Sequence, residues 1–273
     1  MLSKESKTLP RISSEYYLCI RMNSTNRYFL ELKYKGTNFH GWQKQENAFS
    51  VQECIEKALS TFFRQSIKIQ GSGRTDTGVH ASHQVCHFET DLEIDYYTFI
   101  KGLNGILPKD ISIKNIRRVK PDAHARFSAT ERSYLYRIIN QKDPFLNELA
   151  WYSYNSPDID QMNLAAKQLL LAEDFESFSK ARTEVTHFRC KIKSASWERK
   201  EGELLFHITA NRFLRGMVRA IVGTTVEIGL GKRKVEDMTS IIQAKSRKSA
   251  GKSAPACGLF LSQVKYPDEI YLD

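Results

Sequence analysis

The hydrophobic pattern predicts an α+β protein assembled from two successive β-α-β-β-α-β units. Three observations carry this reading: short segments of alternating polarity open each half of the sequence, longer segments with apolar residues three and four apart follow them, and the order of the two kinds repeats once. Two such units imply two split-βαβ layers, with helices on one face of a largely antiparallel sheet. Joined edge to edge, the two sheets would make one long platform whose other face is free.

The first unit opens near Arg27, where Tyr28, Leu30, Leu32 and Tyr34 alternate with Phe29, Glu31 and Lys33, the period of a strand with one strongly apolar face. After a loop from Gly36 to Glu46, Ser50 and Glu53 have capping-box spacing, and Val51, Cys54, Ile55, Ala58, Leu59, Phe62 and Phe63 form one helical stripe. Ile67 and Ile69 start a second strand that runs into a glycine loop. His83 to Phe88 alternate again, Asp95 caps a helix through Phe99, Ile100 and Leu103, Pro108 ends it, and Ile111 with Ile113 opens a fourth strand. In the second unit Tyr134, Tyr136 and Ile138 line a strand, and after a long connection Ile159, Met162, Ala166, Leu169 and Leu170 mark a helix. Phe188 to Trp197 and Leu204 to Ala210 read as a hairpin around Glu201-Gly202. A helix from Phe213 to Ile228, a shorter one through Val235, Met238, Ile241 and Ile242, and a closing strand at Leu259, Leu261 and Val264 complete it. The expected division is therefore 1–26 as a mobile extension with one short apolar patch at Tyr16 to Ile20, 27–128 and 129–267 as the two halves, and 268–273 as a tail.

Composition narrows the class of function. Hydrophobic residues are 41% and charged residues 26% of the 273, the balance of an ordinary globular chain. Lys and Arg outnumber Asp and Glu by 41 to 31, a net charge of +10 that predicts attraction to polyanions. Five cysteines, Cys19, Cys54, Cys86, Cys190 and Cys257, occur without a C-x-x-C, which argues against a structural zinc or a disulfide framework and for reduced, packed thiols in a cytoplasmic protein. No apolar run approaches the roughly 18 residues of a membrane span, and no secretory h-region opens the chain. Asn23-Ser24-Thr25 is a glycosylation sequon by spelling only.

Chemistry concentrates in Gly73-Arg74-Thr75-Asp76-Thr77-Gly78-Val79-His80-Ala81. Glycines on both sides let a loop project a carboxylate and admit a ligand to the main chain, and Arg74 places a permanent cation beside it. A surface turn with a local Arg/Asp pair is the plain alternative. Asp-Thr-Gly also spells an aspartic protease, but no second such triplet occurs, so that reading requires a homodimer. A dinucleotide-binding Gly-x-Gly-x-x-Gly fails because the sixth position after Gly71 and Gly73 is Asp76.

Arg212, Arg215 and Arg219 fall at i, i+3 and i+7, so a continuous helix would align them as one stripe, suited to bidentate phosphate contact or simply to a solvated face. Lys245, Arg247, Lys248 and Lys252 add a basic loop. Gly251-Lys252-Ser253 ends like a P-loop, yet Ser246 stands where glycine is needed, so no nucleotide cofactor is expected. His80, His83, Cys86 and His87 are close enough to raise a metal, but without matching ligands elsewhere they read as polar positions on a loop and strand.

Several blocks together resemble the TruA-type tRNA pseudouridine synthases: Phe39-His40-Gly41-Trp42-Gln43, Ser50-Val51-Gln52, the Gly73 to Ala81 loop, His124-Ala125-Arg126-Phe127-Ser128-Ala129, Arg132-x-Tyr134-x-Tyr136, Met217-Val218-Arg219 with Ile221-Val222-Gly223, and Gly258-Leu259. The resemblance runs from about Arg27 to Tyr266. It implies the pseudouridine synthase fold with a central catalytic cleft, a homodimer, and isomerisation of uridine to pseudouridine in the tRNA anticodon arm at positions 38 to 40, with no cofactor and no metal. It puts the nucleophile on Asp76, its neighbouring arginine on Arg74, the active-site tyrosine on Tyr134 and the arginine that pairs with the aspartate on Arg219. Leu259 would join Tyr134 in the base pocket, and Arg74, Arg212, Arg215, Lys245, Arg247 and Lys248 would meet RNA. The chain departs from the family in its N-terminal extension and in Phe213-Leu214-Arg215-Gly216. The chemistry agrees: moving a glycosidic bond from N1 to C5 requires a flipped base shielded from water and a carboxylate nucleophile, attacking either the ribose C1′ or the base C6. An RNA-binding protein without catalysis would use the same platform but has no need of an aspartate between glycines.

Overall fold

The structure is a computed structural model that describes residues 21–181 and 185–272. The patch at Tyr16 to Ile20 lies outside them. The first strand, β1, spans Arg21–Tyr34 and so begins before Arg27, inside the segment expected to be a mobile extension. That segment finds ladder partners: Arg21 pairs with Leu92 and Asn26 with Thr90, which satisfies backbone groups that polarity patterning cannot see. Next come α1 (Val51–Phe63), β2 (Gln70–Gly71), β3 (His80–Leu92), α2 (Tyr96–Ile106) and β4 (Ile111–Val119). The second unit follows with β5 (Glu131–Ile139), β6 (Trp151–Tyr152), α3 (Ile159–Gln168), β7 (Ile192–Lys200), β8 (Glu203–Ala210), α4 (Met217–Gly229), α5 (Asp237–Gln243) and β9 (Leu259–Lys265).

Local chemistry accounts for most boundaries. Ser50 caps α1 by accepting from the Glu53 N–H at 3.3 Å, while the Glu53 carboxylate pairs with Lys57 along the helix. Asp95 caps α2 through the Thr98 N–H at 2.9 Å, and Asp158 caps α3 through those of Asp160 and Gln161. At the β7–β8 hairpin Glu201 and Gly202 both take positive φ, 50° and 84°, the turn that matches strand twist. β2 is far shorter than Ile67 and Ile69 led one to expect. Those side chains are buried, but only Gln70 and Gly71 pair with β3.

All strands join one large mixed, mostly antiparallel sheet with main path β4-β1-β3-β9-β5-β8-β7, β2 pairing with β3 and β6 with β5. The two halves have the same internal order. With the two-residue β6 set aside and each unit's other strands read as first to fourth, both run fourth-first-third, with the second beside the third. They meet where β3 and β9 lie parallel, His80 opposite Phe260 and Ala81 opposite Leu261. One edge of β3 is thus shared: β2 takes Cys86 and His87, and β9 takes the end that leaves the glycine loop.

Two cores follow, and each borrows from the other half. Leu261, Val264 and Ile270 are buried with the first unit and Val79 with the second, so neither is closed by its own chain segment alone. Residues 268–272, set apart above as tail, dock on the first unit: Leu272 N–H donates to Arg118 O at 3.0 Å, Lys120 N–H to Ile270 O at 2.9 Å, and the Arg117 guanidinium lies 3.5 Å from the Tyr271 ring centre. Among the described residues no helix is long and apolar enough to cross a membrane.

Candidate active site

The loop carrying Asp76 is held from behind by the loop that follows β1. Trp42 N–H donates to Thr75 O at 3.3 Å, Gly78 N–H to Phe39 O at 3.3 Å, and the Tyr34 and Thr75 hydroxyls bond at 2.9 Å. Gly41 sits at φ 86°, where a Cβ would lie 2.3 Å from Thr75 O, so only glycine lets the two backbones approach. His80 closes the far end, its Nδ1 accepting from Gly36 N–H at 2.9 Å and its Nε2 facing Cys257 O at 3.1 Å. Both bonds are satisfied by one neutral tautomer, and burial lowers the pKa of this imidazole. His83 Nδ1 accepts from Val264 N–H and His87 Nδ1 from Ala125 N–H, so the histidines considered above for a metal bind backbone groups. The described residues hold no cluster of three His, Cys, Asp or Glu that would suit an ion.

The Asp76 carboxylate lies between two guanidinium groups. Arg215 Nε is 3.6 Å from Oδ1 and Arg219 Nη1 is 3.6 Å from Oδ2, and about a quarter of the aspartate side chain (26%) stays open to solvent. Arg219 is anchored twice to Ala254: its Nε donates to Ala254 O at 2.7 Å, and its own carbonyl accepts from Ala254 N–H at 2.9 Å. Its partly exposed guanidinium cannot swing away without breaking this clamp.

The expected helical arginine stripe does not form. Gly216 takes φ 72° and α4 starts only at Met217, so Arg212 and Arg215 lie in the preceding loop. There they separate: Arg215 faces Asp76, whereas Arg212 stands 3.1 Å from the His187 ring. Arg74, exposed, donates to Gln43 Oε1 at 3.2 Å. In the second basic loop, Lys245 faces Asp174 at 3.7 Å and Lys248 is exposed. Arg247 braces its own loop, donating from Nη1 to Ala250 O and Gly251 O and from Nη2 to Ser253 Oγ.

Tyr134 occupies the seam. It is half-buried, packs against both cores, and meets Phe213 edge to face at 5.0 Å. Burial raises its phenol to about 12, with Arg132 pulling it down and the nearby Asp76 charge pushing it further up. Its hydroxyl has no hydrogen-bond partner among the described residues. Leu259 is buried in the second core, opposite Tyr136 in the ladder and directly after the turn whose Ala256 faces Gly78. A cavity of about 530 Å³ touches Tyr134 with His83, Ser133, His207, Thr209 and Ser262, but Asp76 is not in its wall.

Arg132 is the residue whose importance sequence reasoning missed. Its guanidinium donates to four carbonyls, those of Ala129, Asn211, Ser72 and Arg126. One side chain thus ties together the approach to the Asp76 loop, the turn before β5 and the loop of Arg212. The signal was present in Arg132-x-Tyr134, because a spacing of two puts both side chains on one face of a strand.

Comparison with known proteins shows the family. The family model described as tRNA pseudouridine synthase matches residues 32–128 and 165–267, which include Asp76, Arg215 and Arg219. The chain belongs to the tRNA pseudouridine synthase family. It is 50% identical over 248 residues to tRNA pseudouridine synthase A of Bacteroides thetaiotaomicron, covering 90% of this chain and 92% of that one. Proteins of the same name from Bacteroides fragilis and Porphyromonas gingivalis are 49% and 46% identical over 250 residues, covering 91% and 90% of this chain and 99% of each relative. As a tRNA pseudouridine synthase it is an isomerase, and tRNA is its substrate class.

Proposed function

We propose that this synthase converts uridine to pseudouridine at positions 38, 39 and 40 of the tRNA anticodon stem-loop, with Asp76 as nucleophile on a flipped uridine. The observation that carries the assignment is the carboxylate set between Arg215 and Arg219, each at 3.6 Å, and near enough to the half-buried Tyr134 for its charge to act on the phenol. A carboxylate so placed can serve as a nucleophile. We read the two repeated units as split-βαβ halves with helices on one face and this group in the cleft between them. The repeated strand order and the shared edge of β3 support that reading.

In one route a carboxylate oxygen bonds to C1′ as the N1–C1′ bond breaks; uracil leaves, turns, and C5 displaces the carboxylate from C1′. In the other the carboxylate adds to C6 and leaves after the base has been transferred. Either way C5 loses one proton and N1 gains one, no atom or electron is added overall, and no cofactor is required. Tyr134 and Leu259 would hold the base, with the Tyr134 hydroxyl at C5. Arg74 would hold the displaced strand or fill the vacated stack. Arg212, Lys245, Arg247 and Lys248 would meet phosphates, Arg247 through the donors not used in bracing its loop. A homodimer and a cytoplasmic location complete the proposal, carried by kinship to these synthases; sedimentation at assay concentrations tests the first.

The deciding experiment is Asp76→Asn, which removes the nucleophile at nearly constant shape. It is expected to abolish pseudouridine formation in tRNA while retaining fold and most tRNA affinity, and turnover within about tenfold of wild type would overturn the assignment.

A further inference from the structure

The turn between β4 and β5 presents Phe127 with 75% of its surface in solvent, directly after the exposed Arg126. Exposed aromatics of this size are commonly loop side chains free to fold back, but this one stands on a rigid base. His124 Nδ1 accepts from the Arg126 N–H at 3.0 Å and from the Phe127 N–H at 3.4 Å, and His124 Nε2 bonds Gln70 Oε1 at 2.8 Å, so one neutral tautomer serves all three contacts. Ser128 closes the turn, its N–H donating to His124 O and its hydroxyl accepting from His124 N–H, both at 2.9 Å. Beneath, the His124 ring lies 4.4 Å from the Phe127 ring and 4.6 Å from the His87 ring.

The turn is also tied to the catalytic loop. Arg132 Nη2 donates both to Arg126 O at 2.6 Å and to Ser72 O at 3.0 Å, so the platform and the chain leading to Asp76 hang on the same nitrogen. The Arg126 guanidinium lies over the Phe127 ring, 5.4 Å from its centre, so a cation adjoins an aromatic surface that stays three-quarters open to solvent, on a chain of net charge +10. An exposed aromatic side chain with an adjoining arginine, on a turn whose backbone is fixed in advance, matches an unpaired nucleotide: the base takes the place of the guanidinium over the ring, and the guanidinium swings to the phosphate.

We propose that Phe127 is a stacking platform for an unpaired nucleobase of the tRNA, other than the reacting uridine, and that Arg126 holds the adjoining phosphate. The proposal rests on tRNA being the substrate and needs neither Asp76 as nucleophile nor modification at positions 38 to 40. Its role is to hold the tRNA arm in register while another nucleotide enters the cleft.

The test compares full-length wild type, Phe127→Ala, Phe127→Leu and Phe127→Tyr on one tRNA transcript, measuring Kd, KM and kcat. With Ala, Kd and KM should rise together by about 5- to 150-fold, the range for loss of one base stack, with a smaller change in kcat. Tyr should restore binding and Leu should not. A scan of single abasic nucleotides through the unpaired positions should find one at which Phe127→Ala has no further effect. Equal Kd for wild type and Ala overturns the proposal, as does full rescue by Leu, which needs only an apolar cover. A change of oligomeric state in Phe127→Ala without a change in intrinsic affinity also overturns it, placing a second copy of the chain on this surface. Because Kd is read separately from pseudouridine, failure of the catalytic assignment leaves this test intact.

Discussion

Replacing Tyr134 by Phe separates what the ring does from what the oxygen does. The ring stays, with its packing on both cores and its 5.0 Å edge-to-face contact to Phe213. The hydroxyl has no partner among the described residues, so its loss orphans no buried group and stability should stay within about 1 kcal/mol of wild type. Turnover divides the alternatives. A neutral hydrogen bond to the base contributes about 1 kcal/mol, roughly fivefold in rate, whereas loss of a group that moves the C5 proton costs about 10² to 10⁴, or ~3 to 5 kcal/mol. With the phenol raised to about 12, it is protonated at neutral pH, so in the proposed role the oxygen would take the C5 proton while giving its own to solvent, from which N1 is protonated. The mutation should therefore lower the pH–rate curve without moving its limbs between pH 6 and 9. Single-turnover rates on uridine and C5-deuterated uridine tRNA provide the assay, and the isotope effect should be larger in the variant. A Phe enzyme within about fivefold of wild type, with an unchanged isotope effect, would refute proton transfer by Tyr134 and leave it a stacking residue.

Three further outcomes follow from the geometry. Gly41→Ala would set a Cβ 2.3 Å from Thr75 O at φ 86° and should lower the melting temperature and kcat together, by about 1 to 3 kcal/mol in stability; an unchanged melting temperature would contradict the close approach. Arg132→Ala should leave the carbonyls of Ser72, Arg126 and Asn211 without their donor, costing about 1 to 3 kcal/mol for each that stays buried, and Lys should rescue it poorly because one ammonium cannot span the same four oxygens; full recovery by Lys in thermal denaturation would refute the clamp. His87 is depressed to about 4, by burial first and then by His124 and Arg27, so between pH 6.5 and 4 the unfolded chain binds a proton that the native one does not. Its contribution is present above about pH 6.5 and lost as pH falls through 4, so denaturant midpoints should drop on acidification, and the drop should shrink in His87→Asn, which still accepts from Ala125 N–H.

Elements whose cause lies within a turn or two of chain were legible in the sequence. Ser50 and Asp95 cap the helices assigned to them because the N–H groups they satisfy are three residues away, and the Glu201-Gly202 hairpin follows from two adjacent positive φ values. The order of strands and helices, the Asp76 loop and membership of the synthase family were likewise readable from local pattern and motif. Arg212, Arg215 and Arg219 show where such reasoning stops. A period of 3.6 assumes one continuous helix, and Gly216 at φ 72° ends that assumption, sending Arg212 to His187 and leaving Arg215 and Arg219 to flank Asp76. Arg247 braces its own loop for a related reason: a guanidinium forms whichever bonds its folded loop offers, and here these include Gly251 O and Ser253 Oγ. The strand at Arg21, the docking of Tyr271 on Arg117, the exchange of Val79 and Leu261 between cores and the four-carbonyl grip of Arg132 all join residues far apart in the chain. By itself the sequence determined which residues could carry the chemistry; only the tertiary structure decided which of them meet, because ladder register and packing are set by partners that no local period contains.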